Sequence, residues 1–148
     1  MADRHFKLEQ VLTYRCEMER LRKQDFASAK QAFEHAHDSL RRDEEHLGGV
    51  SREFCDRQQE LSSIDEMRMY TDFFSRKREE IRQQKGRVEQ LGEVMNCRRD
   101  DLLDATKDKK VLESLKDKNS REFREQQALR EQAFLDEISV QKKDESSR

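Results

Sequence analysis

The chain has no proline and no tryptophan, and only four glycines and three cysteines among its 148 residues. Without proline, no ring clash or missing N–H breaks a helix, and scarce glycine removes the usual punctuation of turns. Long uninterrupted helices are favoured. Cys16, Cys55 and Cys97 are isolated and odd in number, with no C-x-x-C pair and no closely spaced histidine. They complete no zinc set and read as reduced thiols in a cytosolic protein. No stretch approaches the roughly 18 apolar residues of a membrane span, and MADRHFKLEQ lacks the apolar core of a secretory signal. Membrane association is therefore expected only peripherally, through a partner. Nor is there a G-x-x-x-x-G-K-S/T phosphate loop or a nucleophile elbow, so no enzymatic activity, cofactor or small-molecule substrate is expected.

What the chain has is charge. With 43% charged and 32% apolar residues and a mean hydropathy of -1.24, it cannot bury a core of ordinary thickness; it must be thin or disordered. The net charge of -2 and pI near 6.1 give no electrostatic reason to expect nucleic acid as a partner.

Periodicity decides against disorder. Phe26, Phe33, Leu40, Leu47, Phe54 and Leu61 recur every seven residues without a miss, followed at three residues by Ala29, Ala36, Asp43, Val50 and Arg57. At this apolar content, six hits in one register arise by chance about once in a thousand trials, or about once in a hundred over seven registers. A second heptad series runs Met67, Phe74, Ile81, Val88, Met95, Leu102 and Lys109, followed at three residues by Tyr70, Lys77, Gln84, Leu91, Arg98, Ala105 and Leu112.

Between the two series, Ser63-Ile64-Asp65-Glu66 has the S-x-x-E form of a capping box, with Asp65 adding negative charge at the positive helix end. Gly48-Gly49 interrupts the first series chemically without shifting its register, and so reads as a soft spot, not a turn. The reading is all-α: a long antiparallel two-helix coiled coil, or helical hairpin, forming a single domain. Helix 1 spans about 5–60, the turn about 61–64 and helix 2 about 64–142. A parallel dimer of one very long helix, or a short bundle broken near Gly86 and Gly92, remains open. Toward the N-terminus, Leu8, Val11, Leu12, Tyr14, Met18 and Leu21 share a helical face one step out of phase, which predicts a stutter before Phe26.

A turn at 62–63 sets residue 5 beside about residue 120, so the C-terminal part of helix 2 overhangs. There Phe123, Leu129, Phe134, Leu135, Ile138 and Val140 abandon the heptad with no second strand of this chain to cover them. Near the turn, Met69 and Phe73 form an i,i+4 stripe about 100° from the seam, either a widened flank or a docking patch. The basic cluster of Arg76, Lys77, Arg78, Arg82, Lys85 and Arg87 encloses Glu79 and Glu80, and reads as a solvated flank. His35 and His37, two apart, lie on different helix faces and do not chelate one metal ion.

The two ends carry a resemblance. HFKLEQVLTYRCEMER and KKVLESLKDKNSREFREQQALREQAFLDEISVQ resemble the ends of the bacterial flagellar export protein FliJ family. That family typically opens on an F-x-L-x-x-V-L-x-x-R phrase, here Phe6, Leu8, Val11, Leu12 and Arg15. It often closes on an L-x-x-L-K run and an L-D-E-I-like phrase, here Leu112, Leu115 and Lys116, then Leu135, Asp136, Glu137 and Ile138.

The resemblance implies an antiparallel coiled coil in the cytoplasmic part of the flagellar type III export apparatus, similar to the central stalk of rotary ATPases. Its paired ends would sit in the ring of the export ATPase FliI and its tip would reach the membrane export gate protein FlhA, with links to export chaperones. Ring-binding then falls to Phe6, Leu8, Val11, Leu12, Arg15, Leu135, Asp136, Glu137 and Ile138. Gate-binding falls to Tyr70 and Phe73, which match an aromatic phrase after the turn, beside the exposed-stripe candidate Met69. Lys77 and Glu80 stand where some members are apolar. Injectisome stalk proteins share this architecture, and a homodimeric coiled-coil scaffold is the alternative from another class.

Overall fold

Two helices account for the structure, a computed structural model that describes residues 5–60 and 63–146. Helix α1 is Glu9–Arg57 and helix α2 is Ile64–Glu145. The two pack against each other as a helical hairpin. Of the residues expected at the turn, Leu61 and Ser62 lie outside the described residues. The cap forms at its expected place: the Glu66 N–H donates to Ser63 Oγ at 3.2 Å. Ser63 thereby satisfies one of the free donors that a helix start leaves.

The chain divides into two units, residues 21–103 and residues up to 20 together with those from 104. In the first, each residue of the α1 heptad series from Phe26 to Phe54 is buried or half-buried. So are Tyr70, Phe74, Lys77, Ile81, Gln84, Val88, Leu91, Met95 and Leu102 of α2, while Arg57, Met67 and Arg98 stay exposed. Cross-helix contacts run antiparallel. Tyr70 packs on Phe54 with ring centroids 5.0 Å apart, Gln84 Nε2 donates to Asp43 Oδ2 at 2.6 Å, and Lys85 Nζ lies 3.1 Å from Glu44.

Phe33 lies over Gly92, where an added Cβ would come within 3.2 Å of its ring. Two helices alone enclose little. Leu40 and Ile81, the best-buried apolar residues of this unit, keep 8% and 7% of their surface.

In the second unit the seam continues by ion pairs. Lys109 Nζ is 2.8 Å from Glu19, Arg15 Nη1 3.2 Å from Asp108 and Lys116 Nζ 2.9 Å from Glu9. Leu12 and Phe6 are buried beside them.

This corrects the expected stutter. Along α1, Leu12, Arg15, Glu19 and Arg22 are covered and keep the heptad spacing of Phe26 and Ala29; of the expected face Met18 is half-buried beside Glu19, while Val11, Tyr14, Leu21 and Asp25 are exposed. The physical reason is the partner. Lys109 neutralises Glu19 in the seam, so the register holds through a polar stretch that apolar residues alone would have shifted. The Glu19 hydrogen bond in turn holds the Lys109 ammonium above its ordinary pKa.

Candidate functional surfaces

The residues expected to bind a ring fall into two classes within the unit formed by the chain's ends. Phe6 and Leu12 are buried against the rest of the unit, and Arg15 is half-buried and held by Asp108. Their first task is to hold the ends together. Leu8 and Val11 are exposed, as are Asp136 and Glu137, and Ile138 is half-exposed.

Farther along α2, past the outermost described cross-helix ion pair at Glu9–Lys116, apolar side chains stand in solvent. Leu129, Phe134, Leu135 and Val140 expose 66%, 63%, 61% and 60% of their surface. Their spacing has changed as well: Phe123 and Phe134 are eleven residues apart, and so are Leu129 and Val140. This spacing leaves the seven-residue repeat, so the segment does not extend the left-handed seam.

Tyr14, Val111 and Leu115, which sequence reasoning did not single out as binding residues, are also exposed in this unit. The signal was present in the heptad. With Lys109 in the heptad series Val111 already falls on the flank; Tyr14 does so once Leu12 is a seam position, which the corrected register shows.

In the other unit, the gate candidates separate in the same way. Met69 is 73% exposed. Tyr70 is a seam residue: its ring packs on Phe54 and its hydroxyl oxygen accepts a bond from Arg57 Nη1 at 3.3 Å. Phe73 lies between these extremes, half-buried, edge-on to the His46 ring at 6.1 Å and to Phe74 at 6.0 Å. Met69 and the open edge of Phe73 are thus the accessible part of the stripe, and Tyr70 anchors it from behind.

Half of the nearby basic cluster is paired with acidic neighbours. Arg82 makes a two-pronged bond to Glu79, at 3.0 and 2.7 Å, Lys77 pairs with Glu80 at 3.1 Å and Lys85 with Glu44. The Arg82 bond holds the Glu79 carboxyl below its ordinary pKa. These pairings support reading the cluster as a solvated flank.

Beside the cluster, Leu47, Gly48, Phe74 and Ile81 floor a shallow groove of about 550 Å³, rimmed by Glu44 and Arg78. Cys16, Cys55 and Cys97 are free and exposed. Among the described residues, no helix is long and apolar enough to cross a membrane.

Comparison with known proteins gives one assignment. A family model described as flagellar FliJ protein matches residues 4–146, nearly the whole chain. No match was found among curated proteins or solved structures.

Proposed function

From its membership of the flagellar FliJ family, which makes this chain a component of the flagellar protein export apparatus, we propose that it acts there as a non-enzymatic stalk. Its paired ends dock in the ring of the export ATPase, FliI, and its turn-proximal stripe meets the export gate protein, FlhA. The observation that carries this reading is the set of uncovered apolar side chains on α2 from Leu129 to Val140. Exposed leucine and phenylalanine on an otherwise highly charged helix mark a surface that another protein covers.

The ring-facing set is Leu8, Val11, Leu135 and Ile138 with the acidic Asp136 and Glu137. Phe6, Leu12 and Arg15 hold the α1 end that presents part of it. The gate-facing set is Met69 and Phe73, backed by Tyr70. One asymmetric coiled coil within a ring of identical subunits touches only some of them at a time, and so biases which subunit closes on nucleotide. Export chaperones are further partners of the same apparatus. The working position is cytoplasmic, at the inner face of the membrane, reached through the gate protein and not through lipid.

The test is ATPase stimulation by the full chain and by a chain ending at Arg121. The truncated chain is expected to lose stimulation, because it lacks the uncovered segment while keeping each cross-helix ion pair from Glu9–Lys116 inward. Equal stimulation removes the ring-facing assignment of the C-terminal segment. Met69→Ala with Phe73→Ala should weaken capture of the gate protein without altering ATPase stimulation, and unchanged capture removes the gate-facing assignment.

A further inference from the structure

Two of the polar layers that interrupt the apolar seam are matched across it, one residue from each helix. Glu19 and Lys109 face each other in seam positions, their nitrogen and oxygen 2.8 Å apart and their side chains only 6% and 23% exposed. Asp43 and Gln84 do the same in the other unit, joined at 2.6 Å, and Gln84 Oε1 is buried with no hydrogen-bond partner among the described residues. A seam optimised only for stability would not contain these groups. Each must be stripped of water, and an apolar pair of similar volume in such a place is commonly as stable or more so.

We infer that these two polar layers are a self-pairing lock: they make α1 choose α2, antiparallel and in one register, over pairing of each helix with its own copy in a second chain. Complementarity carries the argument. A parallel two-chain coil sets each seam residue against itself, so Glu19 meets Glu19, Asp43 meets Asp43 and Lys109 meets Lys109, and three of the four polar positions become buried like-charge pairs, Gln84 meeting its own neutral amide.

Slipping the hairpin by one heptad is also penalised. In one sense Asp43 gains Lys77, but Lys109 lands on Leu12, Glu19 on Leu102 and Gln84 on Ala36; in the other Glu19 gains Lys116, but Lys109 lands on Phe26, Asp43 on Leu91 and Gln84 on Val50. Only the observed register pairs every one of these groups. The flanking pairs Glu9–Lys116, Arg15–Asp108 and Glu44–Lys85 point to the same alignment, although as half-exposed pairs they discriminate less. The unpaired Gln84 Oε1 is the visible cost of the lock, stability given up for a single pairing. For a protein with two seven-residue seams, each apolar enough to pair with a copy of itself, a means of excluding the dimer is required.

The experiment combines thermal unfolding with sedimentation velocity over a range of concentrations, on the full-length chain and three variants. The parent is expected to be monomeric. The quadruple variant E19L/D43L/Q84L/K109L is expected to unfold about 4 °C higher or more and to form dimers that increase with concentration. The exchanged pair E19K/K109E restores complementarity and should remain monomeric near the parental Tm, whereas E19K alone sets two lysines face to face and should unfold well below it. A dimeric parent overturns the inference. So does a quadruple variant that is monomeric at every concentration or less stable than the parent, or an exchanged pair no better than E19K alone.

Discussion

Replacing each helical glycine by alanine separates what the helices gain from what their packing permits. Alanine is favoured over glycine in a helix interior by about 1 kcal/mol, because glycine loses more backbone freedom on folding. At Gly48, Gly49 and Gly86 a Cβ would meet nothing within 4 Å, so each substitution should deliver this gain in full. The triple variant should gain about 3 kcal/mol, and at about 3 °C per kcal/mol its Tm should rise by about 9 °C.

Gly92 differs. Its added Cβ would stand 3.2 Å from Phe33 Cε2 and 3.6 Å from Cδ2, and the ring is itself a seam residue with little room to retreat. Overpacking of this kind costs about 1–3 kcal/mol, which cancels or exceeds the propensity gain. Gly92→Ala should therefore leave Tm unchanged or lower it.

The assay is circular dichroism of the helix signal against temperature, with a urea titration to check that the slope, and so the surface exposed on unfolding, is unchanged. A Gly92→Ala chain stabilised as much as Gly48→Ala would refute the close approach of Phe33. A triple variant with no gain would refute the reading of Gly48, Gly49 and Gly86 as ordinary helical positions under no packing demand.

Ile81→Ala removes one of the few well-covered side chains, with 7% of its surface exposed, and should cost about 2–4 kcal/mol in urea unfolding. Val111→Ala, at 67% exposure, should change stability by less than about 0.5 kcal/mol. Because the Glu19 hydrogen bond raises Lys109 above its ordinary value of 10.5, the stabilisation tied to that proton is fully present below 10.5 and fades as pH rises through the folded-state value. The Tm difference between the parent and Lys109→Met should accordingly stay flat from about pH 7 to about pH 10 and narrow above that.

Much of the fold was legible because a coiled coil is coded locally. A residue every seven places on one face dictates a helix with one sticky stripe, and Ser63 with Glu66 marks where the second helix begins, in each case through chain neighbours only. The candidate surfaces were legible in part. Leu135 and Met69 were named from the sequence and are exposed, whereas Tyr70 and Leu12 were named beside them and are covered. Val111 was passed over although the α2 heptad already set it on the flank of Lys109, and Tyr14 because an assumed stutter placed the seam on the wrong stripe before Phe26.

The error at that stretch has one physical root. Glu19 looks like a surface residue from sequence, since an isolated carboxylate is costly to bury. Only the partner helix, by bringing Lys109 to 2.8 Å, makes its burial tolerable. The sequence by itself determined that there are two helices, where the second begins, and which stripe of each is apolar, because those follow from spacing within one strand. The tertiary structure alone decided which polar residues enter the seam and which apolar ones remain outside it, because both depend on what lies across the interface.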